Sequence, residues 1–192
     1  MRPFSVSEVM KAGSMRTKYA LFCVALLSTT YALDDAIRVR PATWAQPVLG
    51  MTLSNVYKVS EGLYRSEQPE DDHIDQLKRL GIKSVLSLRQ YHSDDELSNK
   101  GIALYRVKMD AGNIIDAEVK KALEIIVACE KPVLVHCRHG SDRTGVVIAA
   151  YRISHMNWGR DEAIDEMQHG GFGYHGTWYP NIMEYLKTFS SR

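Results

Sequence analysis

The chain has 192 residues, with 24 Lys or Arg against 23 Asp or Glu, for a formal net charge of +1. That length suits one ordinary domain with its own core, and the near-zero charge excludes the broad basic field that nucleic-acid binding requires, so any anion site has to be local. Hydrophobic residues at 45% and charged residues at 24% exclude a largely disordered chain.

In chain order, Arg16 and Lys18 lead into the apolar run Tyr19 to Leu27 and then into the small residues around Ser28 to Ala32. Positive, apolar and small segments in that order predict a secretory signal peptide over residues 1–32, cut after Ala32, with Met15 as an alternative start. A buried N-terminal helix is the competing reading. The apolar run is too short for a permanent membrane span, so the expectation is a periplasmic or secreted protein with no stable membrane anchor after cleavage. Residues 33–53, with Pro41 and Pro47, read as an extended arm laid on a domain formed by residues 54–192.

Val56 to Val59 and Leu63 to Arg65 predict a hairpin turning at Ser60-Glu61-Gly62. From Pro69 to Leu80, Ile74, Leu77 and Leu80 share a helical face that Gly81 ends. Val85 to Leu88 and Ile102 to Val107 are strands, separated by a polar stretch from Tyr91 to Lys100. From Asp116, read as an N-cap, Val119, Leu123, Ile126 and Val127 line up on a helix. Val133 to Val135 is a compact strand, His136 to Arg143 a loop, and Thr144 onward an apolar helix. Helices over Arg160 to His169 and Asn181 to Phe189 close the chain. Strands alternating with helices predict an α/β sandwich whose ligand site lies beyond the carboxyl ends of its parallel strands.

The loop HCRHGSDRTG, His136 to Gly145, carries the chemistry. A strand feeding a loop that opens a helix points successive backbone N–H groups and a helix N-terminus at one place, which makes residues Arg138, His139, Gly140, Ser141, Asp142 and Arg143 a candidate phosphate cradle. A cysteine at the centre of such positive potential reacts as the thiolate, so Cys137 is the candidate nucleophile. Arg143, six residues on, returns to the same bowl with a planar fork for two phosphate oxygens. Thr144 places a hydroxyl near the sulfur, and His136 organises the loop by hydrogen bonding. No His, Cys or carboxylate cluster has ligand spacing, so neither a metal nor another cofactor is expected.

With those residues in view, the chain resembles the cysteine-dependent protein tyrosine and dual-specificity phosphatases, most closely their compact bacterial periplasmic members. WAQPV, LYRSEQP, PVLVHC, the loop itself and the tail from Tyr151 to Gly173 follow the same order as in such enzymes. The resemblance implies a single catalytic domain over residues 54–192, with a mostly parallel central sheet of about five strands and helices on both faces. It also implies Cys137 as nucleophile, Arg143 as phosphate clamp and Thr144 as thiolate partner.

The family supplies a general acid from an aspartate on a mobile loop upstream of the cysteine. Asp110, 27 positions before Cys137 and beside Ala111-Gly112-Asn113, is the first candidate. Asp116 and Asp142 compete, although Asp142 also reads as a partner that holds the Arg143 fork. Arg138 and His139 sit at the rim, where a second negative group of a substrate would meet them. Tyr174, His175, Trp178 and Tyr179 read as a packing cluster, with lining of the substrate cleft as the alternative. The expected function is phosphoprotein phosphatase activity on phosphotyrosine, extending to phosphoserine and phosphothreonine. The alternatives are a phosphoinositide or inositol phosphate phosphatase and a non-catalytic phosphate-binding module. Neither oligomeric state nor physiological substrate is written in the residues.

Overall fold

The computed structural model describes residues 39–97 and 100–190, so the signal peptide expected over residues 1–32 lies outside the described residues. The chain divides between Pro41 and Ala42 into two units, and every element below belongs to the second.

Among the described residues six strands form one sheet: β1 Gln46–Pro47, β2 Tyr57–Ser60, β3 Leu63–Ser66, β4 Ser84–Arg89, β5 Ala103–Met109 and β6 Val133–His136. Their order is β1-β2-β3-β6-β4-β5. The pairs β3/β6, β6/β4 and β4/β5 are parallel, while β1 and β2 add antiparallel edge strands. Two-residue β1 is the addition to the expected five, since a pair of residues is too short to show strand periodicity. Around it the segment is built into the domain: Trp44, Ala45 and Leu53 are buried.

The helices are α1 Ile74–Arg79, α2 Asp116–Ala128, α3 Asp142–His155, α4 Arg160–His169 and α5 Pro180–Thr188. They divide unequally over the sheet because strand side chains alternate in direction. Leu86, Leu88, Val133 and Val135 face one way and pack with Val119, Ile126, Val147, Met167, Ile182 and Leu186 of the four long helices. Val85 and Leu134 face the other way and meet Ile74, Leu77, Leu97 and Ile102. His136 shares the side of Leu134 by the same alternation.

Local differences from the sequence reading have local causes. The helix expected from Pro69 starts as a 3-10 turn, Asp71–His73, because the Glu70 N–H donates to His73 Nδ1 at 3.0 Å and tightens the entry. Strand β5 runs on to Met109, which pairs with Arg89 beyond an irregularity in the β4 register. Helix α3 begins at Asp142, so Arg143 belongs to its first turn rather than to the loop.

A buried ion pair locks the helical side. Arg152 of α3 donates from Nε to Glu166 Oε2 at 2.9 Å and from Nη2 to Oε1 at 2.6 Å. The side chains are 1% and 2% exposed. Oε1 also accepts the Ala45 backbone N–H at 2.6 Å, and the guanidinium lies 4.0 Å over the Trp158 ring. Removing one partner of such a pair leaves a buried charge uncompensated, at a cost of about 3–5 kcal/mol. Urea unfolding of Glu166→Ala is expected to register a loss of that size, and replacing Arg152 and Glu166 together by apolar residues a much smaller one.

Candidate active site

The parallel strands end together. Ser66 of β3 and Ser87 of β4 both pair with His136 of β6, so the segment after His136 emerges at the carboxyl edge of the sheet. It passes through Cys137 to Ser141 and enters α3.

Scaffold donors grip the outside of this loop. Arg65 Nη2 donates to the Gly140 carbonyl at 2.6 Å, Asn55 Nδ2 to the His139 carbonyl at 2.7 Å, and the Gln68 N–H to the Arg138 carbonyl at 3.2 Å. With three successive carbonyls held outward, the opposing N–H groups turn to the concave side, as an anion nest requires. Gly140 adopts φ +70°, and a Cβ there would sit 2.4 Å from the Ser66 carbonyl oxygen, so no other residue fits. Ser141 Oγ donates to the Phe172 carbonyl at 2.7 Å and ties the loop to the segment after α4. Asn55 Nδ2 reaches that same carbonyl at 3.0 Å.

Cys137 is 2% exposed. Beneath it, fully buried His136 contacts two acceptors: its Nε2 lies 2.9 Å from Asp94 Oδ2 and its Nδ1 3.2 Å from the Cys137 carbonyl. Asp94 Oδ1 accepts from Gln68 Nε2 at 2.8 Å, and Gln68 Oε1 from Arg89 Nη1 at 3.3 Å. Burial pushes the Asp94 carboxyl up, but the hydrogen bond and charge of His136 and the bond from Gln68 outweigh it and hold the group below its ordinary value.

Positive charge collects around the sulfur. Burial lowers Arg65 to about 10, opposed by the charges of Glu166 and Cys137. Its guanidinium lies 3.7 Å over the Phe172 ring. Burial, with the neighbouring cations Arg143 and Arg138, also lowers Arg89, opposed by Asp94 and Cys137.

Arg143 reaches Met109 O with Nη1 at 3.5 Å. Its Nε and Thr144 Oγ1 are buried with no hydrogen-bond partner among the described residues, and buried donors of this kind point to an anion or water as their intended partner. A cavity of about 330 Å³ opens here, lined by Arg138, His139, Asp142, Arg143, Ala111, His175, Trp178 and Tyr179. Among the described residues no group of three or more His, Cys, Asp or Glu side chains is placed to hold a metal ion.

The three acid candidates separate cleanly. Asp142 does not hold the Arg143 fork: its Oδ1 accepts the His175 N–H and its Oδ2 faces His175 Nδ1, each at 2.9 Å. One residue from Arg143 along a helix, its side chain leaves on another face. Asp116 is the first residue of α2 rather than its cap, which is Ile115, and it is occupied by Tyr185 Oη and Lys120 Nζ. Asp110 is exposed, its Oδ1 accepting the Gly112 N–H at 2.9 Å and its backbone carbonyl the Asn113 N–H at 3.2 Å, both within its own turn. Ala111 beside it is anchored by Asn181 Nδ2 at 2.9 Å and lines the cavity.

Residues outside the motif complete the site. Arg65 and Gln68 lie in LYRSEQP, where the letters mark only a strand and the bend after it. Asp94 is one carboxylate in a polar stretch, and nothing in its neighbours marks it as buried. His175, Trp178 and Tyr179, read first as packing and second as cleft lining, line the cavity.

Residues 51–177 match the model of a tyrosine phosphatase family. Dual specificity protein phosphatase TpbA of Pseudomonas aeruginosa is 40% identical over 148 residues, which cover 74% of this chain and 65% of that protein, so the chain spans just under two thirds of that relative's length. Inositol diphosphatase DSP2 of Oryza sativa is 30% identical over 148 residues, covering 72% of each. The crystal structure of Pseudomonas aeruginosa TpbA superposes with a TM-score of 0.71 at 35% identity, over 80% of this chain and 94% of that one. The same TpbA has been solved as a cysteine-to-serine variant in complex with phosphotyrosine. The Siw14 catalytic core superposes at a TM-score of 0.62 and 28% identity, over 76% and 89%. With a family match across most of its length and a cysteine loop built on the corresponding fold, this chain belongs to the tyrosine phosphatase family.

Proposed function

We propose that the chain is a phosphatase that hydrolyses phosphotyrosine in proteins, extending to phosphoserine and phosphothreonine, through a cysteinyl-phosphate intermediate. The observation that carries this is the pinned loop, in which Cys137 is buried while Arg143 Nε and Thr144 Oγ1 stand buried with no partner among the described residues. The naming of the Pseudomonas relative as a dual specificity protein phosphatase supports the same reading.

In the first step the Cys137 thiolate attacks phosphorus, forming an S–P bond as the P–O bond to the leaving group breaks, and Asp110 gives that oxygen its proton. In the second, water attacks the cysteinyl phosphate, Asp110 takes a proton from it, and the sulfur leaves as thiolate with Thr144 Oγ1 to donate to it. Both transition states concentrate negative charge on equatorial oxygens, which the loop N–H groups and the Arg143 fork are arranged to meet without reorganising. Asp110 suits its role because its carboxylate is exposed and tied only to its own turn, whereas Asp116 and Asp142 are each occupied.

A second reading, inositol phosphate or phosphoinositide hydrolysis, rests on exposed Arg138 and His139 at the rim and on the relatives named inositol diphosphatases. A panel of phosphopeptides and inositol phosphates separates the two by kcat/KM. The signal-like N-terminus supports export to the periplasm or beyond. Among the described residues no helix is long and apolar enough to cross a membrane.

Cys137→Ser is expected to abolish p-nitrophenyl phosphate hydrolysis while tungstate still binds; near-normal turnover would refute the mechanism. In the same assays Asp110→Asn is expected to lower kcat about 10²–10⁴-fold for substrates with poor leaving groups and far less for good ones, whereas a uniform or absent effect moves the acid elsewhere. Protein recovered from an exporting bacterium is expected to begin at Leu33 on N-terminal sequencing, and retention of residues 1–32 would overturn the export reading.

A further inference from the structure

We infer that Trp178 is the platform on which the aromatic ring of an aryl phosphate rests, so that the cleft discriminates phosphotyrosine from alkyl phosphates; this rests on the phosphatase reading. Trp178 is 78% exposed and lines the cavity that also holds Arg143 and Arg138. A large aromatic surface left in water inside a concave, cationic site is unusual for a residue with only a packing role.

The backbone of Trp178 is held from the phosphate side. Asp142, the residue before Arg143 in the first turn of α3, binds both the N–H and Nδ1 of His175 at 2.9 Å. His175 O then accepts the N–H groups of Trp178 and Tyr179, each at 3.0 Å. Tyr174 Oη closes the turn on the Tyr179 carbonyl at 2.8 Å. Clamp and platform are thereby set in register through one carboxylate. This also accounts for Asp142, whose negative charge would oppose a phosphate if it were not engaged by His175.

The geometry discriminates among phosphate esters. With phosphate on the loop, a phenyl ring projects as a rigid plate toward the Trp178 and Tyr179 wall, where offset or edge-to-face contact is favourable. A seryl phosphate is shorter and has no ring face to offer. An inositol polyphosphate would bring further charged groups against an aromatic wall that Trp178 and Tyr179 share with Arg138 and Arg143.

Two measurements on the full chain test this. Steady-state kinetics would compare one peptide phosphorylated on tyrosine with its phosphoserine counterpart. Trp178→Ala is expected to reduce the ratio of their kcat/KM values about tenfold, chiefly through KM for the tyrosine form, and Trp178→Phe to restore most of it. Titrating Cys137→Ser with phosphotyrosine is expected to quench indole fluorescence, and the change is expected to vanish in Cys137→Ser with Trp178→Phe. An unchanged ratio, or quenching that persists without Trp178, overturns the platform while leaving the phosphatase reading intact. Absence of Cys137-dependent turnover on any phosphate ester removes that reading, and the platform with it.

Discussion

A buried guanidinium holds the site open. Arg65 is 1% exposed, and taking its charge out of water is costly unless each gain is realised. The Gly140 carbonyl at 2.6 Å, the Phe172 ring at 3.7 Å and the field of Glu166 and the cysteine offset that cost. In return the loop loses the freedom to collapse onto its sulfur, and Gly140 can stay in a backbone conformation that any side chain would forbid. The anion nest is therefore a property of β3 as much as of the loop, since Arg65 is fixed by its pairing with Val135.

That division explains what could be read from residues alone. Cys137, Arg143 and Thr144 announce themselves because spacing within one strand, loop and helix fixes their geometry locally. Val85, Leu86, Leu134 and Val135 likewise reveal their strands, and the faces follow from alternation. The supports come from elsewhere in the chain: Asp94 reaches His136 across 42 positions and Asn55 reaches His139 across 84. A buried carboxylate and a solvated one look the same in a string of letters. Asp94 among Ser93 and Asp95 is such a case, and only the tertiary fold separates them.

Asp142 shows the same limit from the other direction. Adjacency to Arg143 suggested a pair, but neighbours on a helix point about 100° apart, and the carboxylate meets a histidine 33 positions later instead. Two segments distant in sequence thus share one anchor at the start of α3. Cys137, Arg143 and the turn from His175 to Tyr179 are arranged around that single helix entry.

The bond from the Ala45 N–H to Glu166 spans 121 positions. Contacts of such separation are the last to form, because most of the intervening chain must be ordered before its ends can meet. During synthesis the short edge strand β1 and buried Trp44 would emerge early yet wait for α4 before their seat existed. Until then the edge of β2 stays open to strangers. The clasp that closes this fold is also the step on which its safe maturation depends.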